Sequence, residues 1–404
     1  MKGLSRFTVV LLALAMSASC ANFEFDRSMS VGKTVLIYMA ADNNLAPYAR
    51  QNLQAVMEGE VPDYFDEGDG NVLLVYADID GDVPRLMRLS RDRYGVVNSE
   101  ILVEYEEDQN SASDSVMNAV LTYAAGLFPS SENGLVLWSH GTGWLPEGYY
   151  SKPYSYGEDG LTVPMSVAED PYASYVKSFG SDSGREMDIR DLAAALPVHY
   201  NYIIFDACLM GGVEVAYELR EKCDYLVVSA AEVLAEGFPY GEIVGDLMAG
   251  NRSSLESVCD KFYMHYENEA ATVALIDSRS LDRLASVCRD IISTGGRDRI
   301  QDLEMDSLQG YYRYDRHWFY DLDDFISRIA EEDRLSSFRT VMDDAVLYKR
   351  ATDEFSLTIN GRPEMQFLIK TFSGLSTYVP NPENPVLEEY YRTLAWNKAV
   401  RMVL

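Results

Sequence analysis

The chain has 404 residues, of which 47% are hydrophobic, 24% charged and 12% aromatic. This composition excludes a disordered or fibrous protein, because the chain has enough apolar side chains to form a core and no low-complexity tract. With 34 basic and 64 acidic residues the formal net charge is −30, and a surface this acidic repels phosphate backbones. We therefore expect no nucleic acid partner.

Residues 1–19 are predicted to be a secretory signal of the lipoprotein type. Lys2 and Arg6 precede an apolar run at 9–16, which is too short to span a bilayer as a stable helix. Small residues lead directly to Cys20, which resembles the cysteine of a bacterial lipobox, although Ser17 stands where such signals usually have Leu. We expect a lipid on Cys20 to anchor the exported protein to a bacterial membrane or cell surface. The alternative is ordinary signal cleavage, with a periplasmic or secreted product.

After a linker at residues 20–32, strand and helix patterns alternate. Continuous apolar runs predict buried parallel strands at 34–40, 71–77, 134–139, 202–206 and 225–230. Apolar residues at helical spacing predict helices at 48–57, 113–126 and 188–196, and another that ends near 222. This order predicts an α/β sandwich with a mostly parallel central sheet and right-handed crossovers.

The second half of the chain has a different pattern. Helical spacing dominates from about 253 to 349, and strand patterns return at 354–359, 366–370 and 374–379. We therefore predict an α/β core at residues 33–250 and a largely helical C-terminal region with returning strands at 251–404.

The cysteines beyond Cys20 give no indication of disulfides or of a zinc site. Cys259 and Cys288 lie among apolar residues at helical spacing, which predicts small buried core residues, and Cys223 is expected to end a helix. No Cys-x-x-Cys pair or Cys/His cluster has zinc spacing, so we predict no metal site.

Two polar strings follow neighbouring predicted strands, where ligand sites of open α/β sheets lie. His140 occurs in WSHGTGW and Cys208 in FDACLMGG. Neighbouring parallel strands lie ~4.8 Å apart, so a thiol and an imidazole at their ends can face each other. A following helix N-terminus favours a thiolate, the imidazole transfers a proton, and glycines let backbone N–H groups approach an oxyanion. The alternatives are a packed core cysteine and a hydrogen-bonded loop histidine.

Four strings in the first half of the chain resemble the clostripain-like cysteine peptidases, which are relatives of caspases, gingipains and legumain. The resemblance covers residues 33–245 and resumes at 374–380, and HGTGW and DACLMG are its most specific parts. The strings are TVLIYMAADNNL (34–45), GLVLWSHGTGW (134–144), SFGSDSGREMDIRDLAAALP (178–197) and FDACLMGG (205–212).

The resemblance implies a caspase-like α/β/α sandwich, with a catalytic core at 33–250, and cysteine endopeptidase activity. It makes Cys208 the nucleophile and His140 the general acid/base, and it implies an oxyanion hole from the backbone N–H groups of Gly141 and Cys208. A function of another class stays open at this point, namely a non-catalytic surface lipoprotein that binds peptides or a partner through the same cleft.

The resemblance also implies cleavage after Arg or Lys, with Asp206 as the acid of the substrate pocket. Residues 206 and 208 of an extended strand end point the same way, so the carboxylate can bind a cationic side chain near the nucleophile. A helix cap is the alternative for Asp206. The string EGFPY at 236–240 makes Glu236 the candidate for a second pocket acid, and Glu232 is the alternative.

The expected partners are a polypeptide substrate with a basic P1 residue and, through the lipid anchor, a membrane. No cofactor is expected to be required. Some relatives need calcium, and because no Asp-rich loop has EF-hand spacing, the sequence leaves calcium open.

Overall fold

The computed structural model describes residues 28–65, 70–105, 109–156, 162–165, 179–182, 185–312, 316–359, 362–381 and 384–404. The predicted signal and Cys20 lie outside these residues. The strands, numbered in chain order, are β1 (Lys33–Ala41), β2 (Asn71–Ile79), β3 (Arg85–Arg91), β4 (Val97–Glu104), β5 (Glu132–Trp138), β6 (Tyr154–Tyr156), β7 (Thr162–Pro164), β8 (Phe179–Asp182), β9 (Arg185–Met187), β10 (Tyr200–Asp206), β11 (Cys223–Val228), β12 (Thr272–Asp277), β13 (Tyr320–Asp321), β14 (Val346–Ala351), β15 (Glu354–Ile359), β16 (Arg362–Leu368) and β17 (Ser376–Thr377).

The helices connect these strands and cover the sheet. They are α1 (Ala46–Glu58), α2 (Asp114–Leu127), α3 (Ile189–Ala195), α4 (Val213–Leu219), α5 (Tyr240–Ala249), α6 (Arg252–Tyr266), α7 (Leu281–Ile291), α8 (Arg297–Ile300), α9 (Leu322–Ile329), α10 (Glu332–Ala345), α11 (Pro385–Tyr391) and α12 (Ala395–Val400). No helix among the described residues is long and apolar enough to cross a membrane.

A nine-stranded sheet forms the centre of the molecule, in the order β14-β12-β11-β10-β5-β1-β2-β3-β4. The five middle strands, from β11 to β2, pair in parallel, and antiparallel strands extend the sheet on both sides. The α/β fold with a mostly parallel central sheet is therefore confirmed.

Strand β1 shows why the central runs are continuously apolar. Leu36 and Tyr38 pack into the core on one face of the sheet, whereas Val35 and Ile37 pack into the core on the other face. A strand covered on both faces needs apolar residues at every position. Each fully buried Val, Leu or Ile contributes about 1.5–3 kcal/mol. Helices α2, α4 and α7 cover the first face, and α1, α5 and α6 cover the second.

The C-terminal region contributes strands that the sequence pattern did not reveal. Strand β12 lies within the stretch predicted to be helical, pairs antiparallel with β11 and carries β14 on its other side. Its apolar run is short, and periodicity alone cannot distinguish such a run from a buried helix segment.

One prediction about the cysteines is wrong. Cys223 begins β11 and does not end a helix. Cys259 and Cys288 are fully buried, and the four cysteines among the described residues are free thiols.

Candidate active site

The loops that follow β5 and β10 lie side by side. The parallel ladder brings Asp206 opposite Trp138, and Ser139 N–H then donates to the Asp206 carbonyl at 3.2 Å. The next residues of the two loops include His140 and Cys208. A β-carbon on Gly141 would lie 2.5 Å from the Cys208 carbonyl oxygen, so only glycine fits this approach. The structure thus brings the loops of His140 and Cys208 into backbone contact.

His140 is buried and is oriented by a residue that our sequence analysis missed. Its Nε2 lies 2.9 Å from the amide oxygen of Asn44. Asn44 lies in the turn between β1 and α1, which the side chain of Asn43 shapes by accepting from Leu45 N–H at 2.8 Å and donating to the Ala40 carbonyl. When Nε2–H is the donor to Asn44, Nδ1 is the nitrogen that accepts a proton.

A signal for Asn44 was present in the sequence. Asn44 follows a buried parallel strand, as His140 and Cys208 do, and the carboxyl ends of such strands meet at one edge of the sheet. An asparagine at such a place also indicates a turn, because asparagine is common in turns, so the residue type alone does not distinguish the two roles.

Cys208 is half-buried and lies in a tight turn. Its Sγ accepts a hydrogen bond from Val233 N–H at 3.3 Å, and the thiol donates to the Val233 carbonyl at 3.5 Å. The N–H donor favours the thiolate, whereas the carbonyl favours the protonated thiol. The sequence argument that the following helix supplies this stabilisation was wrong. Helix α4 begins only at Val213, after the turn, and the macrodipole acts within the first turn of a helix.

The other described cysteines have environments that suppress reactivity. Burial raises the pKa of the Cys223 thiol to about 12 and also raises the pKa values of Cys259 and Cys288. A buried thiol with a raised pKa is a poor nucleophile.

Asp206 is buried behind this turn and holds a separate loop. Its Oδ2 accepts from Phe238 N–H at 3.1 Å and from the Tyr240 hydroxyl at 2.8 Å. Burial raises the pKa of the Asp206 carboxyl to about 6, although both hydrogen bonds lower it. The N-cap of α4 is Gly212, so Asp206 does not cap that helix.

The 236–240 loop therefore meets Asp206, but the Glu236 side chain is exposed. The Glu236 carbonyl accepts from Asn52 Nδ2 at 2.8 Å, and the Asn52 amide oxygen accepts from Trp138 Nε1. Gly237 has φ +69°, and a β-carbon there would lie 2.5 Å from Asp206 Oδ2. Glu232, the alternative acid, is buried.

The remaining histidines, His199, His265 and His317, are exposed. His199 lies before β10, at the opposite edge of the sheet, and contacts the Asp224 carboxylate at 3.3 Å. Within the part of the chain that the structure describes, no group of three or more His, Cys, Asp or Glu side chains could hold a metal ion.

Comparison with known families decides the assignment. The clostripain family, peptidase C11, matches residues 37–160 and 167–401. This chain belongs to the clostripain family. A comparison with curated proteins finds no match.

Solved structures of clostripain-family proteases from two bacteria resemble this chain over almost its whole length. An inactive zymogen C11 protease from Parabacteroides distasonis is 33% identical, with a TM-score of 0.76, and the match covers 92% of this chain and 98% of that one. A secreted C11 cysteine protease from Bacteroides thetaiotaomicron, in complex with an irreversible peptide inhibitor, is 30% identical, with a TM-score of 0.73 and coverage of 91% and 98%. The protein is thus a cysteine-type endopeptidase with a caspase-like fold, which confirms the family, the fold and the enzyme class predicted from the sequence.

The contact between Asn44 and His140 predicts a specific effect on catalysis. Asn44→Ala should lower kcat about tenfold, which corresponds to the loss of one hydrogen bond of about 1.4 kcal/mol, and should leave KM nearly unchanged. Asn44→Asp keeps an oxygen acceptor for Nε2–H and should retain more activity than the alanine variant. A wild-type kcat in Asn44→Ala would show that Asn44 does not orient His140.

Proposed function

We propose that this clostripain-family member is an exported endopeptidase that cleaves after Arg or Lys, with Cys208 as nucleophile and His140 as general acid/base. The observation that carries the proposal is the backbone contact between Gly141 and Cys208, beyond the paired ends of β5 and β10. This contact supports a site in which His140 and Cys208 act together on one peptide bond of the substrate.

The proposed reaction has two stages. The Cys208 thiolate attacks the scissile carbonyl carbon, and the N–H groups of Gly141 and Cys208 hold the oxyanion. The His140 imidazolium gives its proton to the leaving amine as the C–N bond breaks. Water then attacks the thioester, His140 accepts its proton, and the carboxylic acid and the Cys208 thiolate are released. Apart from the substrate and the water, every group in this scheme belongs to the protein, so we propose that the chemical steps require no cofactor.

The environment of Asp206 supports a basic P1 residue. Its hydrogen-bond donors, Phe238 N–H and the Tyr240 hydroxyl, are uncharged, and no Lys or Arg among the described residues pairs with it. A buried carboxylate without a cation is costly, and a cationic substrate side chain would remove that cost. Asp206 also lies only two positions before Cys208.

Export and lipid anchoring are proposed from the sequence and from the relatives. Two similar solved structures are described as secreted C11 cysteine proteases from Bacteroides thetaiotaomicron, one of them at 30% identity. The signal-like segment at 1–19 supports export of this chain, and Cys20 after small residues supports lipidation.

Replacing the nucleophile tests the proposed reaction. Cys208→Ala should lower kcat/KM by about four orders of magnitude or more, measured on a panel of peptides that vary at P1, while circular dichroism and thermal unfolding stay unchanged. Cys223→Ser is the matched control, because Cys223 is a buried cysteine outside the site, and it should retain activity. Comparing wild-type rates with and without EDTA decides whether calcium, which the sequence leaves open, takes part. A kcat/KM of Cys208→Ala within about tenfold of wild type would contradict the nucleophile assignment.

The pKa of Asp206 predicts how P1 preference varies with pH. The measurement is the kcat/KM ratio of two substrates that differ only by Arg or its uncharged isostere citrulline, so titration of the catalytic pair cancels. The carboxylate binds the cation only when ionised, so the ratio should fall as the pH drops from 8 to 5 through the pKa of about 6.

Asp206→Asn should lower this ratio at least about 30-fold at pH 8, equivalent to about 2 kcal/mol, and remove its pH dependence. Glu236→Gln and Glu232→Gln, assayed the same way, identify which glutamate assists Asp206. A wild-type ratio that does not vary with pH would contradict the role of Asp206.

The anchor proposal predicts where the protein partitions in its bacterial host. With Cys20 intact, the mature protein should carry label from radioactive palmitate and enter the detergent phase of a Triton X-114 extract. Cys20→Ala should abolish both. Mass spectrometry of the mature N-terminus gives an independent readout, because ordinary signal cleavage would leave an unmodified terminus.

A further inference from the structure

The turn that carries Cys208 has a backbone conformation that needs external support. Leu209 has φ +61°, in the left-handed region that residues with a β-carbon rarely adopt. Its N–H donates to the Ala231 carbonyl at 2.9 Å, and Gly211 N–H donates to the Ser229 carbonyl at 2.7 Å. These bonds hold the turn from the side of β11.

A second support comes from the C-terminal region. Ser376 N–H donates to the Gly211 carbonyl at 2.8 Å, and Ser376 also forms a parallel bridge with Gly212. The segment at 375–378 therefore lies along the turn of Cys208, although more than 160 residues separate them in the sequence.

Glu214, at the start of α4, fixes this segment in place. Its Oε1 accepts from the Thr377 hydroxyl at 2.9 Å, from Tyr378 N–H at 2.9 Å and from the Tyr391 hydroxyl at 2.7 Å. The side chain is completely buried, and no basic residue of the described chain pairs with it. One carboxylate oxygen thus joins the helix after Cys208 to three groups of the C-terminal region.

The other oxygen of Glu214 faces the loop of His140. Glu214 Oε2, Trp144 Nε1 and Ser376 Oγ are buried and have no hydrogen-bond partner among the described residues. A β-carbon on Gly212 would lie 3.1 Å from Glu214 Oε2, 3.5 Å from Trp144 Cδ1 and 3.8 Å from Ser376 Oγ, so the three side chains surround one point. Trp144 follows His140 in the HGTGW string.

This arrangement is a poor way to gain stability. Burial raises the pKa of the Glu214 carboxyl, and two of its hydrogen-bond partners are uncharged hydroxyls. In some proteins a buried ionisable group that adds little net stability serves instead to fix one conformation of the structure around it. We therefore expect Glu214 to fix the relative positions of three segments, since it lies where the Cys208 turn, the His140 loop and the C-terminal segment meet.

We propose that Glu214 is a positioning residue that holds the Cys208 turn in its reactive geometry by clamping the 375–378 segment against it. The proposal rests on the proposed function, in which Cys208 is the nucleophile. It gives the C-terminal region a role in catalysis, because the groups that Glu214 clamps all belong to that region.

The test compares kcat per reactive site among variants. Alkylation by iodoacetamide, located at Cys208 by mass spectrometry, counts the competent sites, and kcat on a peptide substrate is divided by that count. Glu214→Ala should lower kcat per site at least tenfold with KM within twofold of wild type. Glu214→Gln keeps Oε1 as acceptor for the three donors and should restore kcat to within threefold.

Two neighbouring tyrosines of α11 supply a matched pair. Tyr391→Phe removes a donor to Glu214 and should lower kcat per site three- to tenfold. Tyr390→Phe removes a hydroxyl that donates to the Asp188 carboxylate at 2.8 Å and not to Glu214, so its kcat per site should be unchanged. Each variant loses one hydroxyl and its hydrogen bond to a carboxylate. This pair decides the question if Glu214→Ala does not fold.

The outcomes separate the two proposals. If Tyr391→Phe and Tyr390→Phe lower only the melting temperature or the number of competent sites, to the same extent, Glu214 is structural and the inference is overturned. If the wild-type enzyme is active but is not alkylated at Cys208, the nucleophile assignment fails, and the positioning role fails with it.

Discussion

The pairing of β5 with β10 is the constraint on which the site depends. In a parallel sheet the register of two strands fixes which residues leave the sheet together, and a shift by one residue would turn every side chain to the other face. Here Asp206 lies opposite Trp138, and the bond from Ser139 N–H to the Asp206 carbonyl extends the ladder by one step. The loops of His140 and Cys208 diverge only beyond that bond, so their separation is set by backbone hydrogen bonds and not by flexible side chains.

Two buried carboxylates act behind these loops. Asp206 accepts from the 236–240 loop, and Glu214 accepts from the C-terminal segment, and in each case the donors are uncharged. Burial disfavours the ionised form of both groups. An enzyme often accepts such destabilised groups at its active site, because fixed polar groups there cost no reorganisation during the reaction. The polar groups that shape this site thus include buried carboxylates as well as the histidine and the cysteine.

Much of the central sheet was predictable, because short sequence patterns identify its strands. The apolar run of β1 and the runs that end before His140 and Cys208 predicted the parallel centre of the sheet, since buried strands need apolar residues at every position. The contact between Asn44 and His140 was not predictable in the same way, because it depends on the spatial order of strands. Strand β12 was not predictable from local patterns either. Its short apolar run forms a strand because it pairs with β11. The partners of Asp206 lie more than thirty positions away, so local patterns could not exclude a helix cap as the alternative.

The contact between Ser376 and Gly211 has a consequence for the order of events during synthesis. A ribosome releases the chain from its N-terminus, so the loops of His140 and Cys208 are made long before the segment that lies against them. The sheet itself is completed only when β14 has emerged. A nascent chain therefore carries the loops of His140 and Cys208 before the C-terminal segment that contacts them has been made, so the complete arrangement forms only after residues 376–378 have been synthesised.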